Sequence, residues 1–370
     1  MAAVAAQDIT GVQERLNKGE LVRDGTRAMY LYHQTFTLDG RPVTRKTVLA
    51  AVKLVPWGDG TVRPHEAADP GARERAVRGI QTEHAHTEPV FLGYRDAARE
   101  VDRLFRKTED EKPVLDVATA DGTRHRVWRM TSSEVMGKLR PLFAPKKLHV
   151  LDGHARYEGM LAYHEQLAAA EPPMYSSANY GLACLVNLED PALVSRARHR
   201  ILRGGASKRD QVLEAARGQF LVEKLAGAAK DAKKQRAALA DTVAHQPALV
   251  LVFAGEPDAW KLTLSPDVSP TGSGVQVHRA LQKYDPIILE HMFLPRAAPG
   301  ATAETTLDHE AVLRAVEGGA DLGVIARPLT IEQIIHVDEL GQTLPFGSTG
   351  FAPALANLVV YLVDPDEDLV

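Results

Sequence analysis

The stretch "LHVLDGHARYEGMLAYHEQL", running from Leu148 to Leu167, decides how the chain is read. Its opening residues are strand-like, and after Gly153 the residues Tyr157, Met160, Leu161, His164 and Leu167 recur at helical spacing. Asp-Gly occurs five times, at Asp24, Asp39, Asp59, Asp121 and Asp152, and any one of these reads as a turn. What sets Asp152-Gly153 apart is the helix that follows, so the chain passes from strand through glycine into helix. Such a turn presents the free N–H groups of the first helical turn, where the dipole favours an anion, and glycine lets that anion come close to the backbone. His154 and Arg156 add side-chain donors, and arginine suits bidentate phosphate contact. The dipole alone contributes about 0.3–1 kcal/mol, so these side chains must supply much of any binding. The competing reading is that Asp152 caps the helix and Arg156 pairs with a surface carboxylate; spacing does not separate the two.

Working outward, "RAMYLYHQTFTL" and "PVTRKTVLAAVKLV" predict a hairpin across Asp39-Gly40, and "PVLDVATADGTRHRVWRM" a second one at Asp121-Gly122. Helices are expected from Pro70, from a cap at Asp96, and from a capping box formed by Thr131 and Glu134. "VFLGY" from Val90 reads as a buried strand, and "YGLACLVNL" and "ARHRILRG" as neighbouring strands. Ser207 is expected to cap a helix, and "AGAAKDAKKQRAALADTVAHQ" is helical by propensity with a solvated charged face. "ALVLVFAG" and "WKLTLS" predict paired strands. Helices follow near "PIILEHMF", "DHEAVLRAVEGG" and "TIEQIIHVDELG", with "DLGVIARP" and "NLVVYLVD" as strands. The expected fold is α/β, with mixed sheets, flanking helices and two closely packed lobes. Residues 1–205 form an N-terminal lobe, 206–363 a C-terminal α/β lobe and 364–370 an acidic tail.

The composition agrees with this. A length of 370 residues predicts two or three lobes at roughly 100–200 residues each. A hydrophobic fraction of 45% and a charged fraction of 25% are those of a soluble globular chain. The net charge of −4 gives no footprint for broad nucleic-acid or anionic-membrane binding. A single cysteine, Cys184, excludes an internal disulfide and any multi-cysteine zinc site, and its apolar setting reads as a buried inert thiol. The N-terminus lacks the pattern of a signal peptide, and no apolar run approaches the roughly 20 residues of a membrane helix. The expectation is a cytoplasmic protein with no membrane partner.

Other polar clusters carry a functional and a purely structural reading in the same way. His65 and Glu66 in "VRPHEAAD" follow a strand in a long polar connection. An imidazole beside a carboxylate there suits acid–base work, or Mg²⁺ held through the Glu; a merely solvated loop is the alternative. His84 and His86 lack a third ligand at zinc spacing, and "YHEQL" is not H-E-x-x-H because position 168 is Ala168. His199 and Arg200 face an anionic ligand or snorkel from a half-exposed strand, and the pattern favours the second. P-loop, Rossmann and serine-hydrolase patterns do not occur in fitting contexts, and neither zinc, haem nor flavin is expected.

Several of these signals together resemble an uncharacterised prokaryotic family, domain of unknown function 1015. The resemblance rests on "VRPHEAAD" with an Arg-bearing helix and "TEPVFLGY", on "LHVLDGHARYE", on "CLVNLEDPAL" with "RHRIL", and on "LPFGSTGFAP", and spans about Gly19 to Val363. The family's central D-G-H-H-R element is similar to the phosphate-contacting turn of the ParB and sulfiredoxin superfamily. That superfamily includes partition proteins that hydrolyse CTP, sulfiredoxin and a nucleotide-dependent free-serine kinase. Its G-x-x-R pattern falls on Gly153 and Arg156, within an element covering residues 147–170.

The resemblance implies phosphate contacts from Gly153, His154, Arg156, His199 and Arg200, with Glu158, Ser348 and Thr349 as further site residues. It implies Mg²⁺ with ATP, ADP or CTP, held through Glu66 and Asp152, and catalysis by Asp152, His154, His65 and Glu66. The chain departs from the family pattern at Ala155, which replaces a second histidine, and at Arg198, which replaces a threonine. Gly347 and Ala354 stand in place of two lysines, and the usual N-terminal segment with a Pro-Tyr-Asp element is not seen. Two expectations follow: a nucleotide-dependent phosphotransferase or hydrolase, or a non-catalytic regulatory or interaction protein that keeps the anion-binding turn.

Overall fold

The computed structural model describes residues 11–38, 40–168, 173–204, 208–243 and 246–366. The N-terminal stretch to residue 10, Asp39, Ser207 and the last four residues of the acidic tail, each the subject of an expectation above, lie outside them. The chain forms an α/β fold in two compact units, one of residues 1–194 with 351–370 and one of residues 195–350.

The first unit is built on an eight-stranded mixed sheet. Its strands run in the order Val62–Arg63, Leu148–Asp152, Val90–Tyr94, Tyr180–Asn187, Arg41–Lys53, Met29–Leu38, Arg124–Met130 and Leu115–Ala118. The first hairpin closes with Leu38 opposite Arg41, and the second pairs Ala118 with Arg124. The parallel pairings join Val62–Arg63 to Leu148–Asp152 and Val90–Tyr94 to Tyr180–Asn187. All five residues of Val90–Tyr94 are buried, as a strand covered on both faces requires.

Two helices of this unit, Pro70–Glu83 and His154–Ala168, pack directly on each other. Gly159 makes this possible, because a Cβ there would lie 2.7 Å from the Ala76 Cβ and 3.3 Å from the Val77 nitrogen. Pro70 opens the first helix and the Asp69 carboxylate accepts from the Ala72 N–H at 2.6 Å.

Three local expectations shift. The helix placed after Asp96 runs Glu100–Glu109, because Arg99 turns into the left-handed region at φ +51°. Asp96 still serves it, accepting from the Val101 N–H at 2.9 Å. The next helix, Ser133–Phe143, is capped by Ser132 rather than Thr131, and Glu134 pairs with Lys138 instead of closing a box. Only Tyr361–Leu362 of "NLVVYLVD" is strand, paired with Ala85–His86.

The second unit carries a six-stranded antiparallel sheet in the order Phe220–Leu225, Ala259–Leu264, Ala248–Phe253, Leu322–Ile325, His199–Arg203 and Thr302–Thr306. Strand His199–Arg203, expected beside Tyr180–Asn187, belongs to this sheet instead. An apolar run specifies a strand but not its sheet. The helix His309–Glu317 lies on Leu322–Ile325, where Gly323 leaves room that a Cβ, 2.5 Å from Val312 Cγ1, would fill. The helix predicted to start at Ser207 is Arg209–Arg217, with Lys208 at its cap, and the Ala/Lys-rich helix contracts to Ala232–Ala240 behind Asp231. Among the described residues no helix is long and apolar enough to cross a membrane.

Candidate functional site

Strand Leu148–Asp152 delivers the chain to Gly153 inside the first sheet, and helix His154–Ala168 begins at the next residue. Gly153 takes φ +92°, a conformation side chains resist, and its carbonyl accepts the Tyr157 N–H at 2.9 Å. Arg156 folds back across this glycine: a Cβ on Gly153 would lie 2.8 Å from Nη2 and 2.9 Å from Nε. Nη2 donates to Asp152 Oδ2 at 2.7 Å and Nη1 to Glu88 Oε2 at 3.2 Å. Nε is buried with no hydrogen-bond partner among the described residues. The guanidinium is therefore held by two carboxylates over the turn, and Asp152 is engaged with Arg156.

The loop carrying His65 and Glu66 is not solvated: His65 is fully buried and Glu66 nearly so. His65 Nδ1 donates to the Val150 carbonyl at 2.6 Å, since a carbonyl can only accept. Nε2 stands 4.0 Å from Glu66 Oε2, and the ring meets that of buried His154 edge-on at 4.7 Å. The strand before the turn thus orients an imidazole from another part of the chain against the first residue of the helix. Asp152, Gly153, His154 and Arg156 share the turn, with His65 and Glu66 packed beside it.

Glu158 is engaged away from the turn. It accepts from the Trp57 indole at 3.3 Å and pairs with Arg73 at 3.8 Å, tying helix His154–Ala168 to its neighbours. Tyr157 does similar work, bonding both the Val55 N–H and carbonyl and stacking on Trp57 at 4.5 Å. Glu88 was not singled out in the sequence. It lies 68 positions from Arg156, and no spacing rule connects them.

His199, Arg200, Ser348 and Thr349 belong to the second unit. The half-exposed strand inferred for His199 and Arg200 is replaced by a buried one. Arg200 donates through Nε and Nη2 to Glu290 at 3.1 and 2.7 Å, and through Nη2 to the Gly347 carbonyl at 2.9 Å. Glu290 stands on the π-helical turn Leu289–Phe293. Arg198 donates from Nε to the Thr349 carbonyl, and Ser348 Oγ donates to the Pro345 carbonyl at 2.5 Å. His199 Nδ1 accepts from the Ala326 N–H at 3.2 Å, 5.2 Å between rings from His309. Burial pushes both imidazoles down to about 4.

Cys184 is fully buried, and burial pushes its thiol up to about 11, away from nucleophilic use. His86 accepts from the Leu182 N–H at 3.2 Å, and burial pushes it down to about 4. Among the described residues no group of three or more His, Cys, Asp or Glu could hold a metal ion.

Several solved structures show a distant similarity to this chain. A conserved hypothetical protein from Pyrococcus furiosus is 12% identical, with a TM-score of 0.40, over 83% of this chain and 92% of that one. A free serine kinase in complex with AMP is 14% identical, with a TM-score of 0.38, over 82% and 87%. SbnI with C-terminal truncation from Staphylococcus aureus is 14% identical, with a TM-score of 0.39, over 85% and 87%. No curated protein matches the sequence. The family described as "Protein of unknown function (DUF1015)" matches residues 6–281, well over half of the chain, and the chain belongs to that family.

Proposed function

We propose that the protein binds a nucleotide or another phosphorylated small molecule at the Asp152–Glu158 turn. One observation carries this reading: Arg156 lies folded over Gly153 at the start of a 15-residue helix, with buried His65, Glu66 and His154 beside it. A phosphate there would meet helix N–H groups and a guanidinium within one turn. The G-x-x-R likeness to the ParB and sulfiredoxin superfamily supports the same placement.

Mg²⁺ fits this reading only as an ion carried largely by the ligand. The described residues offer no protein cage, but Glu66 and Asp152 could each add a carboxylate oxygen to phosphate and water ligands. When bound, the ion would neutralise phosphate charge.

A second reading, nucleotide-dependent phosphoryl transfer or hydrolysis, is favoured by the buried His65–Glu66–His154 cluster. Arg156 would clamp phosphate, His154 would donate to a phosphate oxygen or shuttle a proton, and Glu66 or Asp152 would take the proton of the attacking hydroxyl or water. Ala155, which leaves the turn one histidine short of the family element, favours binding without turnover.

A thermal-shift screen with inorganic phosphate, AMP, ADP, ATP and CTP, with and without Mg²⁺, tests the proposal. A ligand at about 100 times its Kd adds about 2.7 kcal/mol to the folded state, read as a rise of the melting temperature. Arg156→Ala should remove that rise. If no phosphate compound shifts melting, the binding reading is wrong; product formation in the same mixtures decides for the enzyme.

A further inference from the structure

Arg156 is held by one carboxylate from its own turn and one from a distant segment. Asp152, four residues away on the same turn, takes Nη2, whereas Glu88 comes from the connection between strands Ala85–His86 and Val90–Tyr94 and takes Nη1. That connection is fixed on both sides. The Asn357 N–H donates to the Thr87 carbonyl at 2.8 Å, the Val363 N–H to the His84 carbonyl at 2.8 Å, and Tyr361–Leu362 pairs with Ala85–His86. Pro89 follows Glu88 and restricts its backbone to extended conformations, and the wholly buried strand Val90–Tyr94 begins at the next residue. The backbone thus brings the Glu88 carboxylate to the guanidinium with little freedom left to lose. Its side chain is 53% exposed, which leaves a path into solvent.

We propose that Glu88 is an electrostatic gate on the turn, an internal competitor that occupies Nη1 of Arg156 until a phosphate displaces it. The inference rests on the phosphate-binding reading of the turn. Two carboxylates around one guanidinium leave that cluster one negative charge in excess, so an approaching phosphate meets repulsion as well as an occupied donor. Binding requires Glu88 to swing outward and yield Nη1, while Asp152 keeps Nη2. The last residues of the first unit, through Asn357 and Tyr361–Leu362, set the gate by holding the segment that carries it.

The test is calorimetric titration of ADP with Mg²⁺ into wild type, Glu88→Gln, Glu88→Ala and Arg156→Ala. An exposed pair is worth little, so removing the competing charge is expected to tighten Kd by about two- to fivefold in both Glu88 variants. Agreement between Gln and Ala assigns the effect to charge rather than shape. Wild type that binds and Arg156→Ala that does not, with Glu88 variants equal to or weaker than wild type, overturns the gate and leaves the binding reading standing. No binding by wild type or by either Glu88 variant ends both.

Discussion

Gly153 and Arg156 constrain each other. The glycine adopts φ +92°, and the guanidinium occupies the space its side chain would take. Gly153→Ala should therefore do two things: destabilise the protein by about 1–2 kcal/mol through the left-handed backbone, and push Arg156 off the turn. Denaturant unfolding reads the first effect and phosphate-compound affinity the second; a variant with unchanged stability and affinity would remove the glycine from the account. The turn residues were legible in the sequence because a change of hydrophobic period around a glycine has few explanations. The partners of Arg156 were not. A carboxylate for Arg156 was a weighed alternative, but nothing in "TEPVFLGY" indicates that Glu88 supplies it. The burial of His65 was equally hidden, since its bond to the Val150 carbonyl joins residues 85 positions apart.

Helices Pro70–Glu83 and His154–Ala168 pack on each other, and Gly159 lies against Ala76 and Val77 where a side chain would not fit. Gly159→Ala inserts a methyl against Ala76 and the Val77 backbone. The expected cost is about 1–3 kcal/mol of overpacking, offset by about 1 kcal/mol of gained helix propensity. A lower midpoint in urea is predicted, and a stabilised variant would show that the contact has room to relax. Helix existence was readable in the sequence, whereas starts slipped by as much as the six residues between Ala226 and Ala232. The slips have local causes, such as the left-handed Arg99 and the choice of Ser132 over Thr131 as cap. Strand His199–Arg203 shows the other limit: its apolar pattern specifies a strand, and its sheet is set by pairing with Thr302–Thr306 and Leu322–Ile325.

Each unit buries imidazoles that resist protonation, His86 in the first and His199 and His309 in the second. All three are held down to about 4 by burial, reinforced at His199 by His309 and Arg200 and at His309 by Arg236, with Asp308 opposing at both. The folded protein thus binds fewer protons than the unfolded chain between about pH 6.5 and pH 4. Stability contributed by these groups is complete above about 6.5 and is lost as pH falls toward 4, up to about 3 kcal/mol for each. Melting scans from pH 8 to 4 should show this fall, and His309→Gln should flatten it; an unchanged slope would contradict the assignment. Residues 351–366 return to the first unit, and no pattern in the sequence marks that return. A pairing as short as Tyr361–Leu362 leaves almost no period to read.

The Asp152–Glu158 turn is proposed to bind phosphate through Arg156. The most direct test is the affinity of ADP with Mg²⁺ for wild type and Arg156→Ala, measured at one ionic strength with both proteins shown to be folded. Loss of a charge-assisted contact of about 1.5–3 kcal/mol predicts at least a tenfold weaker Kd in the variant. Equal affinities would place the ligand elsewhere and contradict the account.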